Sequence, residues 1–130
     1  MFDVQTRGLS GPQLPADVLA SISAYYRRVT TQARPMNRLI AAVMFLTLIA
    51  IAIEIVRHAY AAWICWVSLA LALAGIGIAL LRTVKNAVRL GGTMDPPEVQ
   101  SALARGIYRD HLFSLVAMAS MVGLQLAAAF

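Results

Sequence analysis

The sequence predicts an all-α integral membrane protein with three transmembrane helices, the N-terminus in the cytoplasm (N-in), the C-terminus across the membrane (C-out), and an N-terminal amphipathic interfacial helix. Apolar residues make up 60% of the 130 residues and charged residues 13%, whereas about 25% of a typical soluble chain is charged. A soluble domain of this size buries too little surface to hide so many apolar side chains. The basic residues lie at the ends of apolar runs, as membrane topology requires.

Residues 1–35 predict a cytoplasmic arm and an amphipathic helix. Glycines and a proline interrupt residues 1–13, which we expect to form a loose arm, and the helix follows over residues 14–32. Its apolar stripe has helical spacing and consists of Val18, Ile22, Tyr25 and Val29, with Leu19 and Tyr26 alongside. Such a helix lies in the membrane interface, docks on a partner, or packs against the protein's own cytoplasmic side, and the sequence leaves these alternatives open.

Residues 36–130 predict a three-helix transmembrane domain. A hydrocarbon core of about 30 Å requires about 20 residues of helix, and three apolar runs of about this length follow one another. We expect the spans at about 39–57, 59–82 and 111–130. Arg38 and Arg57 flank the first run, and their long side chains can extend to the interfaces. Trp63 and Trp66 lie early in the second run, where amphipathic aromatic residues mark an interface.

The segment between the second and third spans predicts a helix end followed by a helix start. Gly91 and Gly92 are typical of a helix C-terminus. We expect Asp95 to cap the next helix, with Pro96 at its first position. Gly106 is a candidate bend between an interfacial part and the spanning part of that helix.

The distribution of basic residues predicts the orientation. Ten Lys and Arg residues lie on the side of the N-terminus and of the loop between the second and third spans, and Arg57 alone lies on the other side. Cytoplasmic segments carry such an excess, which predicts N-in and C-out. We therefore expect a multi-pass protein of a bacterial-type cytoplasmic (inner) membrane.

Glu54 is the ionisable residue that lies deepest in an apolar run. On a helix it reaches Arg57 at i+3 and His58 at i+4. An ionisable group at depth is expensive, which makes Glu54 a candidate proton-relay carboxylate or ligand contact. The alternative is a salt bridge that reaches the interface.

His58 and His111 are the weak candidates for cofactor binding, together with Arg109. The topology places the two histidines about a bilayer thickness apart, so one chain alone cannot hold a bis-histidine haem. Arg109, Asp110 and His111 form a charged cluster at the inner boundary. It is either a headgroup or quinone pocket between subunits, or a simple anchor at the helix entry.

Small residues mark candidate packing faces of the spans. Gly75 and Gly77 lie in the second span, and Ala119 and Gly123 form a small-xxx-small step in the third. Such steps let helices approach closely. Gln125 is a candidate for a hydrogen bond between helices, as is Ser120.

The chain contains no phosphate-binding loop, nucleophile elbow or metal-ligand spacing, so we expect neither an autonomous enzyme nor a metal site. The basic residues flank membrane spans, which argues against nucleic acid as a partner. The expected function is that of a small non-catalytic integral membrane subunit that assembles with, or stabilises, a larger membrane complex. Its partners are other membrane protein subunits and lipid.

The layout is similar to that of the small membrane-anchor subunits of the succinate dehydrogenase and fumarate reductase family. Arg34-Pro35-Met36 before the first span resembles an Arg-Pro found near the N-terminus of many such anchors. The histidine signature of the haem-containing members is missing. The resemblance implies a subunit of an oxidoreductase complex, with quinone near the inner face, where Arg109 and His111 are the positions to test, or a haem shared between subunits.

A holin-like pore former is the third class of function. Three-span holins resemble this chain in size, but they usually have the opposite orientation and end in a charged cytoplasmic tail. This chain ends in Ala127-Ala128-Ala129-Phe130.

The orientation predicts the accessibility of two engineered cysteines. A cysteine that replaces Thr31 or Thr93 should be protected from an impermeant thiol reagent in intact cells and labelled in broken cells. The native Cys65 lies within an apolar run and serves as the background. Labelling of either position in intact cells would contradict the N-in arrangement.

Overall fold

A computed structural model describes residues 2–9, 11–32 and 34–130, and helices make up its regular structure. A short 3-10 helix, Phe2–Thr6, precedes five α-helices. These are α1 (Ala16–Thr31), α2 (Arg34–Arg57), α3 (Ala62–Ile78), α4 (Val84–Gly92) and α5 (Pro97–Ala129). A π-helical turn, Ala79–Thr83, joins α3 and α4 into one continuous rod.

Three helices are long and apolar enough to cross a membrane, which confirms the prediction of an all-helical chain with three candidate spans. They are Asn37–Arg57 with 21 residues, Ala62–Gly92 with 31 and Pro97–Ala129 with 33. At a rise of about 1.5 Å per residue, the last two measure roughly 47 and 50 Å, well beyond a hydrocarbon core of about 30 Å. The second and third apolar runs are therefore parts of longer helices, and α5 passes through Gly106 without interruption.

The hydrophobic core of the chain lies where α1 packs against α4 and the first turns of α5. We call this unit, with the preceding segment from Phe2, the headpiece. Its buried apolar residues are Leu14, Leu19, Ile22, Tyr26, Ala87, Leu90, Ala104 and Ile107. Leu19, Ile22 and Tyr26 of the apolar stripe of α1 are thus buried within the chain, and Val18, Tyr25 and Val29 are half-buried. Among the alternatives left open by the sequence, the structure favours packing on the protein's own helices.

The segment before α1 is attached to α5, and the expectation of a loose arm is wrong for the residues described. The backbone N–H of Leu14 donates to Ser101 Oγ at 3.0 Å, and Ser101 is fully buried. Arg105 Nη1 donates to the carbonyl oxygen of Pro12 at 3.4 Å. Gln13 also donates to the carboxylate of Glu98. The first of these bonds gives the buried backbone N–H of Leu14 a partner, which it would otherwise lack.

Gly91 allows the backbones of α1 and α4 to meet. A Cβ atom at this position would lie 2.9 Å from the backbone N of Arg27 and 3.1 Å from the backbone C of Tyr26. At the same crossing, the Nε of the Arg27 side chain donates a hydrogen bond to the carbonyl oxygen of Gly91 at 3.2 Å. Gly91 is therefore required by the close approach of two helices, in addition to lying near a helix end.

The end of α2 explains why His58 is not on the helical face of Glu54. His58 has a left-handed backbone, with φ of 49°. Its N–H donates to the Ile55 carbonyl oxygen, and the N–H of Ala59 donates to that of Glu54. This is a Schellman motif, which satisfies the last carbonyl groups of a helix and turns the chain.

The prediction that Asp95 caps α5, with Pro96 as its first helical residue, is wrong. The capping residue of α5 is Pro96, no side chain caps the helix, and the helix begins at Pro97. Asp95 instead accepts two hydrogen bonds from Arg89, at 2.8 and 2.7 Å. The hydrogen bond from Arg89 lowers the pKa of Asp95 below its usual value. The pair therefore stabilises the folded chain at pH values above the ordinary pKa of aspartate, and this stabilisation is lost as the pH falls through the lowered pKa.

Replacement of Gly91 by Ala should destabilise the headpiece, because the new methyl group overlaps backbone atoms that cannot move independently. Overpacking of this kind costs roughly 1–3 kcal/mol. Gly92 is the matched control, since a Cβ there meets nothing within 4 Å, and Gly92→Ala should be neutral or stabilising by up to about 1 kcal/mol. Thermal unfolding of both variants in the same detergent measures the difference. Equal midpoints would contradict the close crossing.

Candidate functional site

Three polar side chains meet between the spanning helices, one from each. Gln125 Nε2 donates to Glu54 Oε2 at 2.8 Å and to Ser68 Oγ at 3.0 Å. Ser68 is fully buried, and Glu54 and Gln125 are half-buried. We call this group the polar junction. It uses both N–H groups of one amide to join α2, α3 and α5, which are otherwise apolar along this stretch.

The polar junction replaces the ion pair expected at Glu54. Among the described residues, ion pairs within 4.0 Å join Arg82 to Asp110 and Arg89 to Asp95. Arg57 is exposed at the end of α2, and the turn of the backbone carries His58 off the helix. The predicted contact of Glu54 with these two residues is therefore wrong. Gln125 does form a hydrogen bond between helices, as the sequence suggested, whereas Ser120 is exposed.

The chemistry that the polar junction supports is association of helices. Its only ionisable group is a carboxylate that accepts a hydrogen bond from an amide. Within residues 2–9, 11–32 and 34–130, no three His, Cys, Asp or Glu side chains are grouped to hold a metal ion. Hydrogen bonds between membrane helices contribute about 0.6 kcal/mol on average and up to about 1.7. The junction is therefore a modest tie between the three spans.

A second polar cluster lies nearer to the headpiece, around Asp110. The side chain of Asp110 is 5% exposed, and its Oδ2 lies 3.4 Å from Arg82 Nε. The same oxygen accepts a hydrogen bond from Thr83 Oγ1 at 3.3 Å. Thr83 ends the π-helical turn, and this turn shifts the helical register that follows it. Sequence spacing alone could not place Thr83 against Asp110.

The candidate cofactor residues do not converge. Measured along the helices by the rise per residue, His58 lies about 6 Å from Glu54, toward the turn between α2 and α3. His111 lies about 21 Å from Gln125, in the opposite direction, toward the headpiece. His58 and Arg109 are exposed, and His111 is half-buried. The two histidines cannot share one ligand within a chain. Binding of quinone near Arg109 and His111 stays a prediction.

The candidate packing residues divide into inward and outward groups. Gly75 faces α5, where Ser114 Oγ donates to its carbonyl oxygen at 3.5 Å and Met118 covers it. A Cβ at Gly77 or Gly123 would meet nothing within 4 Å, and Ala119 is exposed. Trp63 and Trp66 are also exposed, at 60% and 59%. Only Gly75 of these residues therefore contributes to helix packing within the chain.

The spanning helices bury little of their apolar surface. In the most apolar stretch of the first, second and third span, 6%, 28% and 6% of the residues are buried. In α2, Ile51 belongs to the buried apolar residues, whereas Phe45, Leu46 and Val56 are more than half exposed. Most residues in the apolar stretches of these three helices are therefore not buried within the chain.

Comparison of this chain with protein-family models, with curated proteins and with solved structures finds no match.

A double-mutant cycle tests the polar junction. Glu54→Leu and Gln125→Leu should each destabilise the chain, and the double variant should recover about 0.6–1.7 kcal/mol relative to additivity, the range for hydrogen bonds between membrane helices. Reversible unfolding of the full chain by sodium dodecyl sulfate in mixed micelles gives the four free energies. The control cycle pairs Glu54→Leu with Ser120→Leu on the outward face, where additivity is expected. Additivity in both cycles would remove the junction as a stabilising contact.

Proposed function

We propose that this chain is a small non-catalytic integral membrane subunit that assembles with, and stabilises, a larger membrane protein complex. The observation that carries the proposal is the exposure of its three candidate spans. In the most apolar stretch of the first, second and third span, 6%, 28% and 6% of the residues are buried. Lipid covers such surface readily, but a helix face that is also flat and small-sided lets another helix approach closely. Ala119 and Gly123 provide such a face on the outside of α5.

The division of the chain into two regions supports a role in assembly. The headpiece has a packed core of its own, whereas the spans are held to one another by the α2–α3 turn, by packing along α3 and by the polar junction. A headpiece with its own core, beside spans that leave most of their residues exposed, offers two surfaces to partners, one outside the membrane and one within it. The grouped polar side chains act as ties between helices, and the proposal assigns none of them a catalytic role.

The charges support N-in and C-out in a bacterial-type cytoplasmic membrane. Arg38, Arg82, Lys85 and Arg109 all lie about 21–26 Å from the polar junction toward the headpiece, by the rise per residue. We call these four residues the cationic girdle. Arg57 lies about 4.5 Å beyond the junction on the other side. The interval from Arg57 to the girdle matches a hydrocarbon core of about 30 Å, and the excess of cations on the headpiece side supports the proposal that this side faces the cytoplasm.

Mass spectrometry of what co-purifies with the tagged chain from its own host, in a mild detergent, tests the proposal. We expect stoichiometric membrane partners. Gly123→Leu should reduce their recovery several-fold without lowering the thermal midpoint of the isolated chain, because its Cβ position is open. Val122→Leu is the control, since Val122 is already a large exposed side chain.

The identities of the partners decide the kind of complex. Flavoprotein and iron–sulfur partners would instead support the quinone-oxidoreductase anchor. Recovery of the chain alone, as a defined homo-oligomer, would overturn the subunit proposal and favour a pore former.

A further inference from the structure

The π-helical turn between α3 and α4 takes up one residue more than an α-helical turn would. Its N–H groups donate to the carbonyl oxygen five residues back, as Val84 does to Ala79, instead of four residues back. One residue of an α-helix corresponds to about 100° of rotation and about 1.5 Å of rise. The turn therefore determines which residues of α4 face α1.

A second unfavourable backbone feature bounds α4 at its other end. Thr93 has a left-handed backbone, with φ of 53°, which is an outlier for a β-branched residue. Gly92, which directly precedes it, would adopt this conformation without a steric cost. In its present place Gly92 has no close neighbour, since a Cβ there would meet nothing within 4 Å. The glycine thus lies one residue away from the position that favours it.

A shift of α4 by one residue would exchange these preferences. If the π turn became an α-helical turn while α3 stayed in place, each later residue of α4 would move to the place now held by the next residue. In this shifted register Gly92 takes the left-handed position of Thr93. Leu90 takes the place of Gly91, where a Cβ alone already approaches the α1 backbone to 2.9 Å, and Arg89 takes the fully buried place of Leu90. Packing of α1 on α4 is therefore compatible with the present register and incompatible with the shifted one.

Side chains of the neighbouring helices hold α4 in the present register at both ends. At the π turn, Thr83 Oγ1 donates to Asp110 Oδ2 at 3.3 Å, and Arg82 Nε lies 3.4 Å from the same oxygen. At the far end, Arg27 Nη2 of α1 donates to Thr93 Oγ1 at 3.3 Å. The Asp110 side chain is 5% exposed. Conversion of the turn would carry Thr83 away from Asp110, and a buried carboxylate that loses a donor is destabilised.

We propose that the junction between the spans and the headpiece is a two-register switch. The π turn, held by Asp110, keeps α1 on α4, and conversion of the turn to α-helix releases α1. Strained backbone is typical of switch regions, and π turns are frequent at functional sites. Release exposes the buried stripe of Leu19, Ile22 and Tyr26, so a ligand of the free stripe would favour the shifted register. This inference goes beyond the proposed subunit role and does not depend on it.

Hydrogen–deuterium exchange of the α1 amides, in the purified full chain in dodecyl maltoside, measures how often α1 is released. Asp110→Ala removes the acceptor at the π turn and should speed this exchange about tenfold or more, as expected for a buried hydrogen bond to a charged group. Asp95→Ala is the matched control, because it breaks the pair with Arg89 away from the π turn. It should change the rate by about twofold at most, as for an exposed ion pair. Unchanged exchange in Asp110→Ala would overturn the switch.

Deletion of Leu81 separates a switch from a merely structural contact. Leu81 is an exposed residue within the π turn. Its deletion should convert the turn to an α-helical turn and leave all later residues in their present places. We expect α1 to stay docked, and Asp110→Ala added to the deletion should leave α1 exchange unchanged, because no extra residue remains to be taken up. Loss of α1 protection in the deletion, or an equal effect of Asp110→Ala with and without Leu81, would overturn the inference.

Gly92→Ala tests the shifted register itself. The change fits the present structure, but it places a Cβ at the left-handed position of the shifted register, where the steric cost lowers the population about fivefold or more. Combined with Asp110→Ala, it should slow the exchange of α1 by the same factor. Gly92→Ala in the Leu81 deletion is the control and gives the part that is due to helix propensity alone. Equal slowing in both backgrounds would also overturn the inference.

Discussion

The backbone contact between α1 and α4 at Gly91 determines where the hydrophobic core of the chain forms. Because Gly91 has no side chain, the α1 backbone at Tyr26 and Arg27 lies against α4, and Ile22 and Leu90 become fully buried beside the crossing. This arrangement requires α4 and the start of α5 to extend as helices beyond the most apolar stretches of the second and third candidate spans. The lengths of these helices and the apolar stripe of α1 therefore both contribute to forming the headpiece.

The two regions of the chain are packed differently for a physical reason. Burial of apolar surface drives helices together in water, and the headpiece has a packed apolar core of the kind that this drive produces. In lipid this drive is absent, and helices associate through close packing of small residues and through hydrogen bonds. The spans show this pattern, with Gly75 beneath Met118 and with the polar junction between Glu54, Ser68 and Gln125. Large exposed surface on the spans is thus compatible with a stable chain.

The sequence was sufficient to predict the helices, because runs of apolar residues determine both their presence and their approximate place in the chain. It also indicated the apolar stripe of α1 and the hydrogen-bonding role of Gln125. The contact of Thr83 with Asp110 depends on a π-helical turn that breaks the normal periodicity. The crossing at Gly91 depends on the packing of α1 against α4. Local spacing along the sequence does not predict long-range contacts of this kind. It does predict whether a segment forms a helix or a strand and whether a helix is amphipathic.

The attachment of α2 to the rest of the chain includes polar contacts near its two ends. At its headpiece end, Asn37 Nδ2 donates to the carbonyl oxygen of Val29 in α1 at 2.9 Å. At its other end, Glu54 accepts from Gln125. Between these two points α2 packs along α3 and leaves α5 uncovered. Polar contacts therefore hold both ends of α2 to other helices, while its middle rests on α3.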